Sequence, residues 1–334
     1  MKKSFDITLV GLIICLFSAI AADAALEQTS NGTSRQYLHE LTTGIEQLST
    51  SMIADAQQPV TQPVINGGRP VVSPDGSRIA FISNRAGNDD VYVMRVDGTH
   101  EKQLTHTPED EGNLAWTADG RRILFSLTTG NTSHFYSIDL NGKNQREIVS
   151  VEGRAPTLSP DGKRLLYMAG TFTAVRLMVS AIDKSNAQQI TDGSSIAWNS
   201  HWSPDGKRIA FTGRNDPKSE LAVFIMNPDG SERRQVTHIP LEEGGAQSPA
   251  WSPDGHQLAI QVNSRKQKNT AHIWVVDVVT GEAHKLAAHD QPYLDETPSW
   301  FPDGKRIAFQ SNRSGRMEVW VMNADGSGQK QVTH

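Results

Sequence analysis

The side chains best equipped for chemistry are carboxylates that fall together in short connecting segments. Glu109, Asp110 and Glu111 form one group; Glu152, Asp192, the pair Glu242 and Glu243, and then Asp290, Asp295 and Glu296 follow at wide intervals. The chief cations of the same segments are Arg69 and Arg154. Ten carboxylates round one opening would focus a negative potential and draw in a cation or a basic segment. The same residues also fit ordinary solvated loops of an acidic chain, and both readings stay open. Carboxylates and backbone carbonyls are the ligand types of calcium, but no calcium-loop motif fixes a geometry, so no metal ligand is assigned. His201 is the most unusual single residue. One imidazole alone makes neither a metal site nor a catalytic site, so a packed or hydrogen-bonded histidine stands beside a role at a ligand channel. The nucleophile elbow Gly-x-Ser-x-Gly, the zinc motif His-Glu-x-x-His and phosphate-binding glycine loops are all missing, and no catalytic residue is assigned.

These residues are positioned by a repeat. Ser73-Pro74-Asp75-Gly76 recurs as Thr117-Ala118-Asp119-Gly120, Ser159-Pro160-Asp161-Gly162, Ser203-Pro204-Asp205-Gly206, Ser252-Pro253-Asp254-Gly255 and Phe301-Pro302-Asp303-Gly304. Successive copies start 44, 42, 44, 49 and 49 residues apart, close to the period of a four-stranded propeller blade. Proline presets the first central position of a turn, aspartate tolerates the next, and glycine takes the left-handed conformation that lets a strand return. Before each turn stands Val72, Trp116, Leu158, Trp202, Trp251 or Trp300, read as the end of an innermost strand. After it comes an apolar run such as Arg78-Ile79-Ala80-Phe81 or Arg306-Ile307-Ala308-Phe309, which suits a strand covered on both faces. A third strand and a second turn follow, Asp97-Gly98, Asn141-Gly142, Asp229-Gly230 and Asp325-Gly326 in four copies, with Asp183-Lys184 and Thr280-Gly281 as degenerate ones. Short outer strands end in Leu104-Thr105-His106, Val236-Thr237-His238 and Val332-Thr333-His334, endings read as structural. Six such units predict an all-β, six-bladed β-propeller of four-stranded antiparallel blades. In that arrangement the carboxylates listed first border one mouth of the axial channel, and His201 lies on an inner strand where other blades have Val71, Ala115, Thr157, Ala250 and Ser299.

The pattern of a Trp-Ser-Pro-Asp-Gly core, an Arg-Ile-Ala-Phe strand and a closing Leu-Thr over residues 70–334 resembles the propeller of the TolB family of the Tol-Pal envelope system. The resemblance implies a periplasmic, monomeric binding scaffold that holds an envelope protein or lipoprotein of the Pal kind, with Arg69, Asp110, Glu111, Arg154, His201, Glu242, Glu243, Asp295 and Glu296 as candidate contacts. Oligogalacturonate lyases and oligopeptidases carry similar repeats, so a lyase or hydrolase acting on an anionic or sugar polymer is the alternative. That alternative asks for a cluster of channel histidines round a divalent metal, and the inner strands supply His201.

Ahead of the repeats, Lys2 and Lys3, an apolar run over 7–22 and Ala22-Asp23-Ala24 read as a signal peptide cleaved after Ala24. A retained anchor is the weaker reading because the run is short, and Ile14 before Cys15 does not suit a lipoprotein signal. Over residues 25–69, in place of the family's α/β domain, Leu38, Leu41, Ile45, Leu48 and Met52 predict an amphipathic helix across 34–55. Cys15 is the single cysteine, so no disulfide is expected after cleavage, and a net charge of −5 excludes an obvious nucleic-acid partner.

Overall fold

The structure, a computed structural model, describes residues 65–334 except 172–173, 194–195, 217 and 287–290. The expected signal peptide and the helix over 34–55 lie outside the described residues. Within them the chain forms six four-stranded sheets, each made of four consecutive strands, and the strands pair antiparallel throughout. The blades span 68–103, 111–152, 154–189, 197–235, 244–285 and 295–331, giving the expected six-bladed β-propeller. Blade one begins at Gly68, two residues before the first repeat position read from the sequence.

The Pro-Asp-Gly turns form for a local reason. Gly76 has φ of +70 and its N–H donates to the Ser73 carbonyl at 2.9 Å. The Ser73 hydroxyl donates to Asp75 Oδ1 at 2.6 Å, and the same oxygen accepts the Ser77 N–H at 3.0 Å. Those hydrogen bonds, led by Ser73, pull the Asp75 pKa down to about 2. Blades two to five repeat the contact through Asp119, Asp161, Asp205 and Asp254; blade six, with Phe301 in place of the hydroxyl, ties Asp303 to the Lys305 amide and the Arg306 guanidinium instead.

Because every central strand is apolar on both faces, no blade can bury its side chains alone. The strand Ile209–Gly213 and its neighbour Ala222–Met226 are buried at every position. Their side chains meet those of adjacent blades in six separate clusters, one per seam. The ring closes where blade six meets blade one, with Phe301, Val319 and Val332 packed on Ile79, Phe81 and Met94. Among the described residues no strand is shared at that closure. Instead Ile65 bridges Met317, the Asn66 and Gly67 amides both donate to the Met317 carbonyl at 3.1 Å, and the Ile65 carbonyl accepts the Asn84 N–H at 3.0 Å.

The closing threonines have a defined task. The hydroxyls of Thr105, Thr191, Thr237 and Thr333 each accept the N–H at the start of their blade's third strand at 2.8 Å, fastening the outer strand. The second turn of most blades tucks under the preceding blade. A Cβ on Gly98 would lie 2.3 Å from the Val332 carbonyl oxygen, whereas one on Gly130, also left-handed, meets nothing. Gly98→Ala is therefore expected to cost on the order of 3 kcal/mol, from a backbone collision added to left-handed strain, and Gly130→Ala about 1 kcal/mol from strain alone. Thermal unfolding of the two variants checks this; equal losses would remove the contact across the closing seam.

Candidate functional site

The inner strands share a departure from regular pairing. Registers break between Gly68 and Val71, Gly112 and Ala115, Trp198 and His201, Gln247 and Ala250, and Glu296 and Ser299, and blade three breaks at the same place. Each break is a β-bulge holding one non-glycine residue in the left-handed region: Arg69, Asn113, Ala155, Asn199, Ser248 and Thr297, with φ between 47 and 53. Every one lies four residues before its blade's first turn. A left-handed residue costs on the order of 1–2 kcal/mol. That is small beside a seam of several buried apolar side chains at roughly 1.5–3 kcal/mol each, so the ring can hold all six strained. In four blades the next residue is proline, Pro70, Pro156, Pro249 and Pro298, at a position whose missing N–H the bulge leaves unpaired.

These bulges aim side chains at the axis. Asn113, Ala155, Asn199, Thr157 and His201 line a cavity of about 980 Å³, and the Asn199 amide donates across the seam to Ser248 Oγ at 3.3 Å. His201 faces the channel and is exposed there, and its carbonyl accepts the Trp251 indole N–H at 3.2 Å. Desolvation by the surrounding ring wall pushes its pKa down from the ordinary imidazole value, by less than full burial would because the side chain is exposed to the channel, and the imidazole is neutral near pH 7.

The structure divides the sequence-named carboxylates into two kinds. Glu111 is 2% exposed, accepting the Thr107 hydroxyl at 2.6 Å and the Thr105 hydroxyl at 3.1 Å. Asp295 is 3% exposed and meets Arg313 Nη2 at 2.6 Å. Glu243 sits between Lys266 Nζ at 2.8 Å and Lys285 Nζ at 3.6 Å, and its hydrogen bond to Lys266 lowers its pKa. Glu296 accepts the side-chain amides of Gln261 at 2.9 Å and Gln310 at 2.8 Å. Two of the four are joints that link blades: Glu111, opening blade two, takes the threonine hydroxyls that follow the outer strand of blade one, and Glu296 of blade six takes the amide of Gln261 in blade five; Asp295 and Glu243 are held by Arg313, Lys266 and Lys285 of the blades they open. Asp110, which accepts the Asp89 N–H at 3.0 Å, and Glu242 stay exposed. Asp290 lies outside the described residues. Arg69 is 56% exposed at its side chain, 3.9 Å from Asp89, with its N–H on Gln310 Oε1 at 2.8 Å. Arg154 begins the inner strand of blade three, half-buried beside Ala155.

The channel is thus bordered by amide, hydroxyl, imidazole and guanidinium groups more than by carboxylates. The reading of an acidic mouth counted residues by loop and missed Asn113, Asn199, Ser248 and Thr297; the residue-proline step four before the turn marks Ser248 and Thr297, whereas Asn113 and Asn199, followed by Leu114 and Ser200, carry no such mark. Among the described residues no three His, Cys, Asp or Glu side chains come together as metal ligands.

Known proteins carry the same architecture. The TolB beta propeller domain family matches residues 28–195 and 170–334. The chain belongs to the TolB β-propeller family. The Tol-Pal system protein TolB of Anaeromyxobacter dehalogenans is 30% identical over 179 residues, half of this chain and 39% of that protein, so the match spans well under half of this TolB relative. TolB from Acinetobacter baumannii superposes with a TM-score of 0.64 at 20% identity, over 79% of this chain and 65% of that one. An oligogalacturonate lyase from Vibrio parahaemolyticus reaches 0.57 at 14% identity, over 80% and 92%, and shares the fold.

Glu111 offers a test of the joints. Burial pushes its pKa up to about 7, reinforced by Asp90 and Asp110 and opposed by the two threonine hydroxyls. The folded chain then keeps a proton that the unfolded chain, with a carboxyl near about 4.3, has released, so stability falls as pH rises through this window and levels off above about 7. Glu111→Gln removes the slope, and its melting temperature relative to the parent should rise between about pH 5 and about pH 8. A difference that stays constant over that range would exclude the buried carboxyl as its source.

Proposed function

We propose that this chain is a protein-binding scaffold of the bacterial cell envelope, holding its partner over the channel mouth that the blade-to-blade connections border. The observation that carries the reading is the ring of six left-handed residues. All six blades maintain backbone strain at one level of the channel, and strain held in place by surrounding structure is a mark of functional surfaces. Arg69, Asn113, Asn199, Ser248 and Thr297 supply hydrogen-bonding groups on a rigid frame, while Asp110 and Glu242 form an acidic fringe outside it. A pre-ordered polar surface of this kind suits a folded partner, since little side-chain freedom remains to be lost on binding.

TolB relatives supply the setting. By that likeness the partner is an envelope lipoprotein of the Pal kind and the compartment is the periplasm. Among the described residues no helix is long and apolar enough to cross a membrane. Binding is favoured over polymer cleavage because, among the described residues, His201 is not gathered with other His, Cys, Asp or Glu side chains into a metal-holding group of three.

Affinity capture from envelope extracts, read by mass spectrometry, tests the proposal. A variant combining Arg69→Ala, Asn113→Ala, Asn199→Ala and His201→Ala should hold the partner at least about tenfold more weakly, as expected when the centre of an interface is removed. Asp110→Asn with Glu242→Gln should change capture less than about threefold, as for rim charges. Equal capture by the parent and the fourfold variant would sink the reading, and release of unsaturated uronides dependent on His201 would replace it with the lyase.

A further inference from the structure

One seam of the ring is built unlike the others. The cluster between blades two and three has five buried side chains, against eight to twelve in the other five seams. Four local departures account for it. The inner-strand position that carries tryptophan in blades two, four, five and six is Leu158 in blade three. Blade two's turn has Ala118 in place of proline, and a Cβ on Gly162 would meet nothing within 4 Å, as at Gly304, whereas Gly76, Gly120, Gly206 and Gly255 each abut the proline of the preceding turn. Arg164 and Arg208 reach forward to the Gly206 and Gly255 carbonyls and lie over the rings of Trp202 and Trp251. The corresponding Arg122 turns back into its own blade, pairing with Asp139 and donating to the Ser137 carbonyl at 3.1 Å. Finally Lys184, at φ of +68, stands where four other blades place a glycine pressed against the preceding blade's carbonyl.

Together these departures leave a cleft. The cavity of about 980 Å³ runs from the axial channel outward between blades two and three, a volume at the upper end of small-molecule pockets. Its walls along the seam are apolar, with Trp116, Leu124, Ile148, Leu158 and Ile182. Its outer end holds Arg146, whose Nε donates to Ser137 Oγ at 3.3 Å and which is exposed, with no carboxylate among the described residues within 4.0 Å. Glu147 lies at the same end but faces His134 Nδ1 at 3.3 Å, and Asp161 is occupied by its own turn.

We propose that the cleft between blades two and three binds a small anionic amphiphile, its flat or aliphatic body between Trp116, Ile148 and Leu158 and its carboxylate or sulfonate head on Arg146. The apolar outer part of this cavity lies along the seam, while its inner end, at Asn113, Asn199 and His201, is shared with the partner surface proposed above.

Fluorescence titration with anilinonaphthalene sulfonate is the test, using the uncharged phenylnaphthylamine as its analogue. The parent should bind one sulfonate probe per chain. Leu158→Trp, which restores the side chain of the other seams, should weaken both probes at least about tenfold, as expected when an apolar pocket is filled, and raise the unfolding midpoint. Arg146→Gln, at an exposed position that leaves the fold intact, should weaken the sulfonate about fivefold and leave the uncharged analogue unchanged, as for loss of a charge-assisted hydrogen bond. Lys218→Gln, an exposed cation that does not line the cavity, should leave both unchanged. Parent-like sulfonate binding by Arg146→Gln, or parent-like binding of either probe by a folded Leu158→Trp, would overturn the proposal.

Discussion

Every other feature of this molecule depends on the mutual burial of sheets that are apolar on both faces. A central strand such as Arg78–Ser83, buried at all positions after the first, has one face toward each neighbouring blade. Satisfying both faces of every sheet at once requires a closed ring, and the closing seam must be as apolar as the rest because, among the described residues, no shared strand helps it. The cluster of Phe301, Val319 and Val332 against Ile79, Phe81 and Met94 meets that demand. Phe301 enters where other turns begin with serine or threonine, so blade six gives up a local hydrogen bond and gains a buried aromatic opposite the small Val72.

The same closure explains how strained backbone persists at the axis. A bulged residue in an isolated hairpin would relax. Here the strand on either side of a bulge is pinned, in most blades by the turn network of a hydroxyl and aspartate at one end, and at the other by contacts such as Glu111 with the threonines of blade one or Asp295 with Arg313. Gln310 shows how tightly the levels are linked, since its amide serves Glu296 in its own blade while its carbonyl holds the Arg69 N–H of the next. Recognition groups mounted this way are positioned by the whole ring, and loop flexibility contributes little to their placement.

Much of this was legible from residues alone. Six Pro-Asp-Gly-type punctuations fix the number of blades because a turn of that kind has few backbone solutions, and the apolar runs after them fix which strands are covered twice. Individual contacts were less legible. Glu111 and Asp110 are adjacent in sequence and equally acidic, yet one is buried against two threonines and the other exposed, because strand alternation at the blade's start decides their direction. The ring of bulges was hidden for a related reason: a register break moves a side chain to another face without changing composition. The thinner core between blades two and three was legible in part, since Leu158 and Ala118 stand in the sequence as exceptions to tryptophan and proline.

Each sheet is cut from one uninterrupted stretch of chain, from inner edge to outer edge, and this bears on how the protein is made. A blade needs no hydrogen bond from any distant segment, so the first can complete its backbone ladder while the ribosome is still translating the second. Long-range order then accumulates as side-chain docking between finished plates, and the docking of blade six on blade one must wait until the sixth plate has been translated.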